Sequence, residues 1–128
     1  GNIVLKEFGT ILLKYCRKSD YPVRVGGDEF IVLLKSEIIE TGIYFTRRIY
    51  EAMVSLNNYL HSLVEIQFHK PIEKEIQFSV GASFASGSID EAIKVADRCM
   101  YISKQNGKNA LTFIEDKKFK IIKLATSL

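Results

Sequence analysis

Arg24-Val25-Gly26-Gly27-Asp28-Glu29-Phe30 sits between two apolar runs, Tyr21 to Val25 before it and Phe30 to Leu34 after it. The β-branched and apolar residues on both sides predict two strands. The glycine pair predicts a tight hairpin turn between them, because glycine tolerates positive φ. A turn without Cβ atoms lets a bulky anionic ligand approach the backbone. Asp28 and Glu29, just beyond, can hold a divalent cation over such a ligand. The same letters also describe an ordinary hairpin whose two acids are merely solvated.

Upstream of the hairpin, Val4, Leu5, Phe8, Ile11, Leu12 and Tyr15 recur at helical spacing and predict a helix over residues 2–16. Arg17 to Asp20 is a polar break, and Pro22 opens the first strand, where a missing N–H is tolerable. The second arm is apolar throughout, which suits a strand covered on both faces. Downstream, a long helix is expected from Glu37 to Ser62, its buried stripe made of Phe45, Ile49, Ala52, Met53, Leu56 and Leu60. Gly42 weakens that helix without ending it. Val64 to Phe68 and Glu75 to Phe84 bracket a Lys-Pro break and predict two strands of a hairpin. Ser88 caps a further helix, with Glu91 completing a capping box. Ile89, Ala92, Ile93, Ala96 and Met100 form its stripe, and Asn106-Gly107 stops it. Ala110 to Ile114 is a last strand. This order predicts an α+β fold, a central and mostly antiparallel sheet flanked by helices. The domain is expected to occupy residues 1–115. Residues 116–128 follow as a lysine-rich C-terminal tail, either a short extra element or a frayed end.

A chain of 128 residues can bury a real core. Its net charge of +3 pulls weakly toward anionic ligands and falls well short of the basic excess of a dedicated nucleic-acid binder. Cys16 and Cys99 are isolated thiols without metal spacing, as expected of a reduced, cytoplasmic protein. His61 and His69 lack partners at ligand spacing and are expected on the surface. No apolar run reaches the roughly 18 residues of a membrane span, and no signal peptide is seen, so no membrane contact is expected. The chain opens without methionine at the start of a helix, and is expected to be a piece of a longer protein, such as the cytoplasmic end of a sensor.

Gly26 to Phe30 spells the GGDEF signature, a five-letter string expected by chance on the order of once in ten thousand chains of this length. From Gly1 to about Ile114 the chain resembles the catalytic domain of a diguanylate cyclase. The resemblance implies a nucleotidyl cyclase or polymerase palm-like fold with the signature on a hairpin. It implies condensation of two GTP into cyclic di-GMP, one GTP per subunit of a homodimer, with Mg2+ or Mn2+ as cofactor. It makes Asp28 a metal ligand and base, gives Glu29 a share in metal binding and catalysis, and lays Gly26 and Gly27 along the ribose and phosphates. Adjacent strand residues point to opposite faces, however, so both acids can serve one metal only if the turn breaks that alternation. The family's third carboxylate lies on a strand before the first helix seen here. Without it the chain is expected to bind metal and GTP poorly and to turn over little.

Asn2 stands where the family carries a guanine-binding Asp, which removes charge assistance of about 1–2 kcal/mol. Arg17-Lys18-Ser19-Asp20 matches the family's RxxD product-inhibition site at the expected five-residue offset from Gly26, and Arg48 matches a second product-binding arginine. Forked guanidinium donors suit a cyclic dinucleotide phosphate. Arg17 and Asp20 can also be read as a local surface pair, which the RxxD offset from the signature disfavours. Lys104 and Lys108 match two triphosphate-gripping positions, and they also suit a helix C-terminus, whose dipole end they offset. Asp97 and Tyr101 match a family pattern and are expected to pack and orient. The segment from Asn57 to Lys74 is longer than in typical members and suggests no function. Besides a cyclase, the sequence admits a catalytically inactive module that binds GTP or cyclic di-GMP, or a dimerisation domain.

Overall fold

The computed structural model describes residues 2–68, 77–85 and 87–125, with side chains described for residues 5–56, 77–85 and 87–125. Apolar residues at helical spacing do form the first helix, α1, over Asn2–Tyr15. Leu12 is its buried anchor, with Leu5, Phe8, Ile11 and Tyr15 half-buried beside it. A polar turn follows, and β1 (Tyr21–Gly26) pairs antiparallel with β2 (Glu29–Leu33). Phe8 on α1 meets Phe30 on β2 edge to face, ring centroids 5.1 Å apart, which ties helix to hairpin. The long helix α2 (Ile39–Phe68) runs beside α1 and buries Ile49 and Met53, both in the predicted stripe. Thr46, also buried, returns its hydroxyl to the Gly42 carbonyl at 2.7 Å, the usual way a helical threonine satisfies itself.

Two expectations are overturned here. Val64 to Phe68 is helix, not strand, and α2 continues through it. Five alternating residues fit a helix as well as a strand, and no glycine or proline interrupts the chain between Ser62 and Phe68; Pro71 is the first breaker. The predicted hairpin between 64–68 and 75–84 therefore does not form. Within its second arm, β3 covers only Ser79–Gly81, while residues 75 and 76 lie outside the described set.

β3 instead pairs parallel with β4 (Ala110–Glu115), joined to it by α3 (Ile89–Gln105) in a β-α-β crossover. β4 pairs antiparallel with β5 (Lys118–Lys123), giving the order β3-β4-β5. Residues 118–123, read from sequence as part of the tail, are thus a paired strand. The turn is Asp116-Lys117, both at positive φ (52° and 62°), as a two-residue type I′ hairpin requires. Ser88 caps α3, accepting the Glu91 N–H at 3.3 Å, while the Glu91 carboxylate faces Lys94 at 3.6 Å.

The core of this C-terminal unit is Cys99, Ala110, Leu111, Phe113 and Leu124, with Ser103 and Thr112 buried among them and bonded to each other at 2.7 Å. Ser103 also lies 2.8 Å from the Val80 carbonyl, so it connects helix to both strands. Of the expected stripe, Ala92, Ile93, Ala96 and Met100 are half-buried and only Ile89 is exposed, while the fully buried positions beside them are Cys99 and Ser103. Asp97 and Tyr101, expected to pack, are also exposed. The architecture is α+β, with helices against sheets that contain antiparallel strands. It falls into two compact units, residues 1–71 and 72–128. Among the described residues no helix is long and apolar enough to cross a membrane.

Candidate functional site

The hairpin turn is made by Gly27 and Asp28, not by the glycine pair. Gly26 pairs with Glu29, and Gly27 at φ 53° takes the first central position of the turn, where a positive φ favours glycine. The register slips between Arg24 and Gly26, so Val25 is an extra residue on β1. A Cβ at Gly26 or Gly27 would meet nothing within 4 Å, which leaves the backbone open to a ligand. Asp28 is a turn residue, so the strand alternation that would separate it from Glu29 does not apply to it. Both carboxylates are exposed.

Arg24 braces this turn. Its Nε and Nη2 donate to the Gly27 carbonyl at 3.1 and 2.6 Å, and the guanidinium lies over the Phe30 ring at 6.0 Å. Sequence reasoning passed over Arg24 as a mere neighbour. An arginine facing a two-residue turn on a short hairpin is the signal that marks it.

Arg17 and Asp20 come together just before β1. The guanidinium grips the carboxylate with Nε–Oδ2 at 3.2 Å and Nη2–Oδ1 at 3.1 Å. Asp20 also accepts the Arg17 backbone N–H at 2.7 Å and the Lys35 N–H at 3.4 Å. Burial pushes the Asp20 carboxyl up, yet the Arg17 side chain and the two backbone donors outweigh it and hold the group below the ordinary aspartate value. Arg17 is half exposed, with one Nη2 bond returned to the Lys35 carbonyl at 3.0 Å. The pair is therefore more than a loose surface contact, because Asp20 is buried and four donors converge on it.

Arg48 on α2 lies over the Tyr15 ring at 4.6 Å and the Tyr44 ring at 5.6 Å. Tyr15 ends α1 two residues before Arg17, so the structure places Arg48 beside the element that carries the RxxD loop. The sequence reading took Tyr15 only as part of the first helix's apolar stripe and passed over Tyr44, although Tyr44 and Arg48 are one helical turn apart.

In the second unit, Lys104 is on the last turn of α3 and Lys108 lies just beyond its cap. Asn106 closes the helix through bonds to Ile102 and Ser103 carbonyls. Lys108 and Asn109 then take positive φ (62° and 48°), and the Lys108 N–H returns to the Ser103 carbonyl at 3.1 Å. Both lysines are exposed. The side chain of Asn2, like those of His61 and His69, lies outside the described residues. Among the described residues no group of three His, Cys, Asp or Glu forms a metal cluster.

Residues 1–110 match the family described as "Diguanylate cyclase, GGDEF domain". Curated relatives agree. Diguanylate cyclase DgcS of Shewanella oneidensis is 32% identical over 111 residues, covering 85% of this chain and 33% of the relative. Diguanylate cyclase DgcZ of Escherichia coli is 29% identical, covering 91% of this chain and 37% of the relative. Diguanylate cyclase A of Treponema denticola is 30% identical, covering 88% and 29% respectively. The chain spans about a third of the length of these relatives.

Proposed function

This chain belongs to the diguanylate cyclase GGDEF family, and from that premise we propose that it serves to condense two GTP molecules into cyclic di-GMP and pyrophosphate. The observation that carries the reading is the intact signature, Gly26 to Phe30, on an open hairpin with Asp28 in the turn. Each GTP presents its ribose 3′-hydroxyl to the α-phosphorus of the other. A new O–P bond forms, the bond to the β-phosphate breaks, and pyrophosphate leaves. Asp28 accepts the hydroxyl proton, and Gly26 and Gly27 let the ribose and phosphates lie close to the backbone. Lys104 and Lys108 bind polyphosphate by charge. Two chains, each carrying one GTP, make one product.

The two adjacent carboxylates suit a hard cation such as Mg2+, which is held by one or two carboxylates together with substrate phosphates and water. Asp28 and Glu29 would hold it. Bound there, Mg2+ or Mn2+ neutralises triphosphate charge and acidifies the nearby hydroxyl.

Product restrains the enzyme at Arg17, Asp20 and Arg48. Support comes from the fixed Arg17–Asp20 fork and from Arg48 stacked on Tyr15, which ends α1 two residues before Arg17. A second reading is a module that binds GTP or cyclic di-GMP without turnover. Asn2 favours it, standing where the family carries Asp.

In the full-length protein, incubation with GTP and Mg2+ is expected to yield cyclic di-GMP, and Asp28→Ala to abolish it. Product output unchanged by that substitution sinks the mechanism, and binding without product in the unaltered full-length protein selects the second reading. Arg17→Ala is expected to weaken cyclic di-GMP binding by about tenfold in calorimetry, as loss of a charge-assisted fork should. Equal affinity counts against the inhibitory site.

A further inference from the structure

Strand β5 lies beyond the family match, which ends at residue 110. It is nevertheless sewn to the loop that carries Lys108. The Leu124 N–H donates to the Asn109 carbonyl at 2.9 Å, and Lys123 pairs in register with Ala110. The Lys123 ammonium donates to the Asn106 carbonyl, at the C-terminal end of α3. A Cβ added at Gly107 would lie 3.8 Å from that same ammonium. Three ammonium side chains, from Lys104, Lys108 and Lys123, are thus attached at one helix end, one of them delivered by a strand from the far side of the β4–β5 hairpin.

This arrangement answers an electrostatic problem. A helix C-terminus carries unpaired carbonyls and a negative dipole end, which repels phosphate. Lys104 and Lys108 can hold polyphosphate there only if that end is offset. Lys123 occupies the Asn106 carbonyl, so the other two ammonium groups are not drawn onto it. Lys120 and Lys118 fall on the opposite face of β5, since strand residues alternate.

The geometry points to Lys123 as a positioning residue for the polyphosphate grip of Lys104 and Lys108, with the β4–β5 hairpin as the arm that delivers it. The inference rests on the polyphosphate role proposed above for those two lysines.

Calorimetric titration of Mg·GTP, and separately of inorganic tripolyphosphate, into the full chain tests it. Lys123→Met is expected to weaken both by about threefold, the size of effect charges produce at helix ends. Lys123→Arg, which keeps the donor and the charge, should restore most of the affinity. Lys120→Met removes the same charge from the other face and should change little. Equal losses in Lys120→Met and Lys123→Met reduce the effect to net charge and overturn the proposal. So does unchanged affinity in Lys123→Met while Lys108→Gln is impaired. If Lys108→Gln and Lys104→Gln also leave both affinities unchanged, the polyphosphate reading fails, and this inference falls with it. Thermal unfolding of each variant shows whether the fold survives; should Lys123→Met unfold, the Lys123→Gln and Lys123→Arg pair decides by the same criteria.

Discussion

Asp20 is 6% exposed, yet it is a carboxylate, and an unpaired charge at that depth would be costly. Four donors resolve this, two from the Arg17 guanidinium and one backbone N–H each from Arg17 and Lys35. Asp20→Asn keeps the shape and turns an NH2 toward donors, so it should lower unfolding free energy by about 1–3 kcal/mol in urea titration. The pH dependence follows from the depressed folded-state pKa. Such a group stabilises the fold fully above its unfolded value, near 3.8, and the contribution is lost as pH falls through the lower folded value. The gap between wild type and Asp20→Asn should therefore be constant at neutral pH and shrink as the pH drops below that point. A gap that widens toward acid contradicts the pairing. Cys16 and Cys99 show the opposite sense: burial raises both thiols, which keeps them protonated and unreactive at neutral pH.

At the scale of elements, the clearest constraint is where β3 meets α3. A Cβ at Gly81 would fall inside the Ala96 carbonyl and the Met100 amide, both of them backbone, so neither can rotate away. Gly81→Ala must push strand and helix apart, with an expected loss of about 1–3 kcal/mol, as for other overpacked sites, read from the urea midpoint. An unchanged midpoint would show that the close approach of helix and strand is not maintained. This contact also marks the limit of what the sequence revealed. Helices α1 and α3 and the β1–β2 hairpin were legible, because 3.6-residue spacing, the Ser88 cap and the glycines are local signals. The parallel β3–β4 pairing was not, since Ser79 and Ala110 are far apart in the chain and no local pattern specifies a parallel partner. Val64 to Phe68 misled for a related reason: alternation over five residues is a weak signal against a helix already running. For the candidate site, the letters point to Asp28, Glu29, Arg17 and Asp20 as the residues to test. They did not point to the contacts of Arg24 with Gly27, Tyr15 with Arg48 or Lys123 with Asn106, which run across a turn, between two helices and across a hairpin.

For the whole molecule, the proposed chemistry needs two chains, because each GTP supplies the hydroxyl that attacks the other's phosphate. One chain offers a single signature hairpin, and among the described residues no second Gly-Gly-Asp-Glu turn exists. A transient pairing makes the rate second order in protein at low concentration. Product formed per chain per unit time should therefore rise in proportion to protein concentration, then level off as pairing saturates. The check is initial rate against concentration, beside sedimentation of the same samples. Rates per chain that stay constant where sedimentation shows only monomer would mean one chain completes the reaction, and the two-chain mechanism would be wrong. Mixing excess Asp28→Ala chains with wild type sharpens the result. A paired mechanism predicts inhibition, since each mixed pair contains one hairpin without its proton acceptor. Independent chains would be indifferent to the added mutant.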